Sequence, residues 1–390
     1  MAALLLSLLV IQICRVLSFS AKKSPVPPIV ACQSTGEVQA AISLFLRPND
    51  VVLELGAQLS DTSTHLCRTI GPGGKAILVD VQRKEATSGR STQRNSKPFL
   101  GDDSNRPSNI ENESKEDEQD TFRDRVDYQE LEQFDQWRNL YKGDNHFDVI
   151  ILDIGSMIGN DLYLTTLSIA TEFLASQNVS PRAILVKSKE LYSLARRITH
   201  SQRLMDGTTT LPANLCRSTE PIIIPCVGVN DYRKTIPFVV SGGDDVLEVG
   251  CHFGTTTALL YEVVKSNPIT GDNSSGFCAG VDIGEKIIAS AKMKYDGPVF
   301  EVMNAWNTLD LLKIKAKHGS MLNDPTSMMG YDVVYADIGG LSGAHGLLES
   351  LALLDAISKA LEPRCIVIKS QCMKRLASQL VPFSRVKNKA

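Results

Sequence analysis

Short apolar runs, each closed by an acid, a glycine or a lysine, recur along this chain with helical periods between them. Val51-Val52-Leu53-Glu54-Leu55-Gly56 returns as Val246-Leu247-Glu248-Val249-Gly250. Phe147-Asp148-Val149-Ile150-Ile151-Leu152-Asp153-Ile154-Gly155 is echoed by Tyr331-Asp332-Val333-Val334-Tyr335-Ala336-Asp337-Ile338-Gly339. A third pair follows in the same order, Ala183-Ile184-Leu185-Val186-Lys187-Ser188 and Cys365-Ile366-Val367-Ile368-Lys369-Ser370. Three matched landmarks in one order imply an internal duplication. The runs are short and rich in Val and Ile, as buried strands are.

In the first copy the pattern predicts strands at 51–55, 75–79, 148–152 and 183–186, with helices at 37–45, 63–69, 162–174 and 191–198. In the second it predicts strands at 245–249, 277–281, 299–303, 332–336 and 365–368, with helices at 255–264, 285–294, 347–361 and 373–380. Pro28-Ile29-Val30-Ala31-Cys32 and the run from Pro221 to Gly228 open the two copies. Strands alternating with helices mean parallel βαβ units. The expected fold class is α/β: two tandem Rossmann-like domains with mostly parallel sheets, over 29–215 and 216–390. Residues 381–390 are too short for a closing hairpin. Either each copy is a trimmed sheet, or the two share an edge.

The pattern fails between 82 and 132. That stretch is polar, with few apolar residues before Phe122, and cannot bury enough surface to offset chain entropy, so a disordered insertion is expected. At the N-terminus, residues 2–13 are almost all apolar but too few to span a bilayer. They suit a cleavable signal, and 1–28 reads as leader and linker. With Phe19 placed to follow a cut after Ser18, the leader resembles the two-part plastid-targeting leaders of algae with complex plastids. Ordinary secretion, or residence in an endomembrane lumen, and a buried N-terminal helix are the alternatives. No stable membrane insertion is expected once the leader is removed.

Composition narrows the function classes. Over 390 residues the chain is 43% hydrophobic and 22% charged, which is globular, and its net charge of −3 gives no general field for nucleic acid. The nine cysteines show no CxxC pairing, so neither a zinc site nor a disulfide framework is indicated. Cys251 and Cys365 read as small buried hydrophobes. Asn112, Asn178 and Asn273 begin glycosylation-type triplets that are frequent by chance.

The chemistry sits at the strand ends, where open α/β sheets bind ligands. In Glu248-Val249-Gly250-Cys251-His252-Phe253-Gly254-Thr255, two glycines permit a tight turn and close approach of a ligand to the backbone. The acid two residues before Gly250 suits an amine and sits badly beside a pyrophosphate. Asp282, with Ile283 after it, can accept both hydroxyls of a ribose. Asn304, beside Ala305 and Trp306, can pair with an adenine edge. An amine or carboxylate, a ribose and an adenine on successive strands describe S-adenosyl-L-methionine.

On these residues the second copy resembles class I S-adenosylmethionine-dependent methyltransferases over roughly 221–382. The fold class becomes two methyltransferase-type domains, and the resemblance implies cofactor contacts at Glu248, Gly250, Cys251, His252, Gly254, Thr255, Asp282, Ile283, Asn304 and Ala305. His252 stands where a glycine is common, and Asn304 replaces the usual Asp. The pair Asp337 and Lys369 resembles that of FtsJ-type ribose 2′-O-methyltransferases, which implies a catalytic role in activating a hydroxyl. The structural alternative is a strand-end acid lining the cofactor and a solvated lysine. No metal is implied.

The first copy keeps Glu54, Gly56, Asp80, Asp153 and Lys187, but Ser60 replaces the later glycine and Asp61 adds negative charge. It reads as a degenerate domain kept for packing or docking, against a second active site. Phe99, Trp137 and Tyr141 are expected to pack. His252 lacks ligand-spaced partners for a metal. Met321, Met328 and Met329 lie in a loop that could act as a lid.

The expected activity is methyl transfer by the C-terminal copy to an unidentified acceptor. RNA is favoured by the Asp337/Lys369 pair and the basic set Lys374, Arg375, Arg385, Lys387 and Lys389, and opposed by the net charge. The alternatives are a non-catalytic methyltransferase-like scaffold and a nucleotide-dependent dehydrogenase.

Overall fold

In the computed structural model the described residues are 26–56, 61–81, 126–131, 134–141, 146–154, 163–175, 180–207, 211, 216–266, 276–318, 330–339 and 346–387. The leader to residue 25, the stretch 82–125, Ser60, the glycosylation-type triplets and the methionine-bearing loop lie outside them. The chain divides into two compact units, each built on one sheet whose pairings are all parallel.

The first unit contains β1 (Ile29–Cys32), α1 (Thr35–Phe45), β2 (Val51–Leu55), α2 (Asp61–Thr69), β3 (Lys75–Val81), β4 (Val126–Leu131), a 3₁₀ segment Phe134–Tyr141, β5 (Val149–Leu152), α3 (Tyr163–Ala175) and β6 (Ala183–Lys187). Next come α4 (Lys189–Arg197) and α5 (Ser201–Met205). The second unit holds β7 (Ile222–Cys226), α6 (Val229–Lys234), α7 (Ile236–Val239), β8 (Val246–Val249), α8 (Thr255–Val264), β9 (Cys278–Asp282) and α9 (Glu285–Lys294). It continues with β10 (Val299–Val302), α10 (Thr308–His318), β11 (Val333–Ala336), α11 (Leu347–Leu361), β12 (Cys365–Lys369) and α12 (Gln371–Gln379). The chain then forms β13 (Leu380–Pro382) and α13 (Phe383–Lys387).

The strand orders are β13-β1-β6-β5-β2-β3-β4 and β10-β9-β8-β11-β12-β7. Both are α/β, as the alternation of runs predicts, and β1 and β6 in one sheet match β7 and β12 in the other. The central strands are buried along their length because helices cover both faces of a parallel sheet. Chain direction across each sheet reverses between β2 and β5, and between β8 and β11. Such switch points open a crevice at the C-terminal strand ends.

The duplication extends to ion pairs at the opposite ends of the strands. Arg182 reaches Asp50 at 2.5 Å and Asp148 at 3.3 Å, and Arg364 in the second unit reaches Asp244 at 2.6 Å. Arg217 adds Asp245 at 3.0 Å and Asp332 at 2.8 Å. Half-buried charges of this kind are stable when paired, and removing one partner leaves the other stranded.

Two departures from the sequence reading matter. The polar stretch expected to be a disordered insertion ends in an ordered strand, β4, paired to β3 from Ala76↔Val126 to Val81↔Leu131. It is a sheet edge, where polar side chains are tolerated and period-2 apolar content is thin. The second concerns the tail. β13 does not extend the sheet that contains β12; it pairs with β1, in register Ile29↔Leu380, Val30↔Val381 and Ala31↔Pro382. Pro382 is acceptable there because β13 is an edge strand.

The other repeat does the same on a smaller scale. Ile198, just after α4, bridges Ile223 of β7, and the Thr199 N–H donates to the Ile223 carbonyl at 2.8 Å. Each unit is therefore closed by the segment that follows the last long strand of the other repeat. Phe383 carries the exchange into the core, buried with Val30, Ala41, Ile42 and Leu185. Cys251 and Cys365 are buried, and Trp137 is buried against Phe173 at 5.1 Å, as expected of packing residues. Among the described residues no helix is long and apolar enough to cross a membrane.

Because β13 and Phe383 complete the first unit, Phe383→Ala is expected to destabilise that unit by about 3 kcal/mol, as for a buried Phe→Ala. Hydrogen exchange should show lost protection in Ile29–Cys32, with Val246–Val249 unchanged. Loss confined to the second unit would contradict the exchange.

Candidate functional site

The turn between β8 and α8 is held in left-handed backbone at three points: Gly250 at φ 79°, His252 at φ 48° and Gly254 at φ 75°. A side chain at Gly250 would collide with the Asp337 carbonyl, and one at Gly254 would come within 2.6 Å of the Phe300 ring. Both glycines are thus required by close packing as well as conformation. His252 occupies a conformation that suits glycine better, at about 1–2 kcal/mol. Its ring is exposed and meets Phe253 edge-on at 4.1 Å.

Glu248 does not line the crevice rim, where an acid gripping an amine would stand. It is 2% exposed, beneath the turn, and accepts from the Thr257 hydroxyl at 2.5 Å. Burial pushes its carboxyl up to about 8, Thr257 partly offsets this, and the Asp337 charge adds to the rise. At neutral pH it is largely a neutral acid supporting the loop.

The remaining expected residues gather at the C-terminal ends of five adjacent strands. Asp282 accepts from the His252 N–H at 3.1 Å and from the Gly284 N–H at 3.0 Å, one oxygen each, so the carboxylate is aimed by backbone. Ile283 beside it is 74% exposed. Past the end of β10, Asn304 is exposed and its Oδ1 accepts from the Trp306 N–H at 3.0 Å, which leaves the amide N–H groups outward. Ala305 is buried and Trp306 half-exposed. Across the switch point, Lys369 Nζ reaches Asp337 at 2.5 Å, both about one-fifth exposed. Cys251 points away from this edge, packed near Gly280, and burial raises its thiol far above the reactive range.

Arg233 belongs to the same edge and carries no signal in the sequence. From the short helix α6 its Nε donates to the Thr256 hydroxyl at 3.0 Å, in the first turn of α8. Thr255 beside it accepts from the Tyr295 hydroxyl at 3.3 Å. A guanidinium added to the positive end of a helix favours an anion, such as a carboxylate.

The first unit repeats part of this arrangement. Lys187 pairs with Asp153 at 2.8 Å, and Gly56 has φ 91°. Glu54 is fully buried; burial pushes its carboxyl up to about 7, with the nearby Ser63 hydroxyl opposing. Neither Glu54 oxygen has a hydrogen-bond partner of good geometry among the described residues. Among the described residues no group of three or more His, Cys, Asp or Glu is placed to hold a metal ion. No protein-family model matches the chain, and no curated protein matches it.

Glu248 ionises near 4.5 when unfolded and near 8 when folded, so the unfolded chain loses the proton first. Its stabilising contribution is complete below pH 4.5 and declines as pH rises to 8. Denaturant titrations of Glu248→Gln should show a shallower fall in stability across that window than the parent. An unchanged slope would mean the carboxyl is solvated.

Proposed function

We propose that the second unit is an S-adenosylmethionine-dependent methyltransferase. The observation that carries this reading is the backbone-aimed Asp282 carboxylate. It stands between a glycine turn with a cationic helix start and an exposed amide flanked by apolar side chains. The donor set fits the cofactor group by group. Asp282 would accept the ribose hydroxyls, Asn304 would pair with the adenine edge, and Ile283, Ala305 and Trp306 would flank the ring. Arg233 and the α8 N-terminus would take the carboxylate, and Asp337 would face the amine. Glu248 acts by holding the turn.

When bound, the cofactor supplies an electrophilic methyl group on a sulfonium. The chain's part is positioning and proton transfer. We assign the acceptor class as a hydroxyl, with the ribose 2′-OH of RNA as the first candidate. Lys369 would lower the pKa of that hydroxyl electrostatically, with Asp337 orienting the ammonium and the proton passing to solvent. The scaffold reading has one observation in its favour: an equivalent lysine–aspartate pair, Lys187 and Asp153, stands in the other unit, as a structural clamp between adjacent strands would.

Calorimetry on the full chain separates the two. S-adenosylmethionine is expected to bind, and Asp282→Ala to weaken it about tenfold or more, the value of charge-assisted hydrogen bonds. Lys369→Ala should keep the affinity while methyl transfer to RNA falls about 100-fold. Absence of binding heat leaves the scaffold; a Lys369→Ala enzyme of full activity removes the catalytic assignment.

A further inference from the structure

Under α6 and α8, on the face of the second sheet that they cover, one polar group stands unsatisfied. Tyr232 of α6 is wholly buried in the core formed with Ile224, Leu260, Tyr335 and Val367, its ring edge-on to Tyr335 at 5.0 Å. Its hydroxyl has no hydrogen-bond partner among the described residues, whereas the Tyr335 hydroxyl meets that of Thr235 at 2.9 Å. A buried hydroxyl without a partner is destabilising and calls for a reason.

The strand register shows what surrounds it. Glu248, Tyr335 and Val367 are neighbours across β8, β11 and β12. Side chains alternate across a sheet, so Asp337 and Lys369, two residues further on, stand on the face that carries Tyr335. Burial first, then the charges of Glu248 and Asp337, hold the phenol protonated well above its usual range. It is a donor, and the acceptors whose charge it feels are carboxyl groups. Both are already engaged: Glu248 by Thr257, and Asp337 by Lys369, whose Nζ is 2.5 Å from each carboxylate oxygen.

The first unit shows that the fold does not require these hydroxyls. The Gln33 N–H donates to Glu37 as the Val227 N–H does to Asp231, and Cys32 lies opposite Lys187 as Cys226 does opposite Lys369. On that alignment Tyr232, Thr235 and Tyr335 correspond to Val38, Ala41 and Ile151, all buried. Both units have the lysine–aspartate pair, and the second alone places a phenol at this position.

We propose that Tyr232 is a positioning residue for methyl transfer: when Lys369 leans toward the acceptor hydroxyl and keeps one Asp337 oxygen, Tyr232 donates to the other. This role rests on the methyl-transfer reading of the second unit. The carboxylate then keeps its aim on the ammonium while the ammonium lowers the acceptor's pKa. A phenol already bound to Asp337 would compete with Lys369, and an unpartnered one does not.

The test uses the full chain with carbon-13-labelled tyrosine, Tyr232 being assigned by the signal lost in Tyr232→Phe. Lys369→Met frees Asp337, so the Tyr232 Cζ signal should move downfield, and adding Asp337→Ala should return it toward the parent position. The second arm is kinetic. Tyr232→Phe removes only an unpartnered hydroxyl and should leave thermal stability unchanged or raised. Its KM for S-adenosylmethionine should stay within about twofold while kcat for methyl transfer to RNA falls about tenfold, the worth of one hydrogen bond to a charged group. A side chain that only fills the core would leave kcat alone. A Tyr232 signal unmoved by Lys369→Met, equal movement with Asp337→Ala added, or an unchanged kcat in Tyr232→Phe would overturn the proposal. A parent chain that binds no S-adenosylmethionine or moves no methyl group to RNA contradicts the methyl-transfer reading instead, and the Tyr232 signal still decides whether the phenol meets Asp337.

Discussion

Parallel strands covered on both faces leave one edge of the sheet open to chemistry, the edge where every strand ends. Both units obey this constraint. Their acids, glycines and lysines lie at the C-terminal strand ends, while the arginine–aspartate pairs brace the other ends. The order of strands then decides which side chains meet. Because β8 lies between β9 and β11, the turn after β8 can touch the acid of β9 and the acid of β11 together. Asp282 and Asp337 therefore face one crevice from opposite sides of Gly250.

Burial decides what those acids can do. Glu248 sits on the strand rather than in the turn, so the pleat directs it inward, and desolvation holds it neutral at pH 7. Asp282, at the strand's last position, is half-exposed and held by two backbone N–H groups. One acid thus shapes the loop and the other is free to meet a ligand. In the first unit the same inward acid remains, with Ser63 beside it where the second unit has Thr257.

Much of the fold was legible in the sequence. Buried parallel strands write themselves as apolar runs, and a duplicated fold writes them twice. Besides the helices Thr308–His318, Val229–Lys234, Ile236–Val239 and Ser201–Met205, which the pattern did not mark, three features escaped for physical reasons. β4 is a polar edge strand without an apolar face. β13 is three residues long, and its pairing with β1 depends on contacts far away in sequence. Arg233 looks like any basic residue on a short helix until the fold brings it to Thr256. Of the candidate site, the strand ends and their order were readable. The inward turn of Glu248 was not, because an acid before a glycine reads alike whether it faces solvent or core.

The second unit as a methyl-donor site is the central claim, and a crystal structure of the full chain grown with S-adenosylhomocysteine tests it most directly. The account predicts density across the ends of β8, β9 and β10, with the ribose on Asp282 and the base beside Asn304 and Ala305. An empty crevice at saturating ligand, or the nucleoside bound away from Asp282, would contradict it.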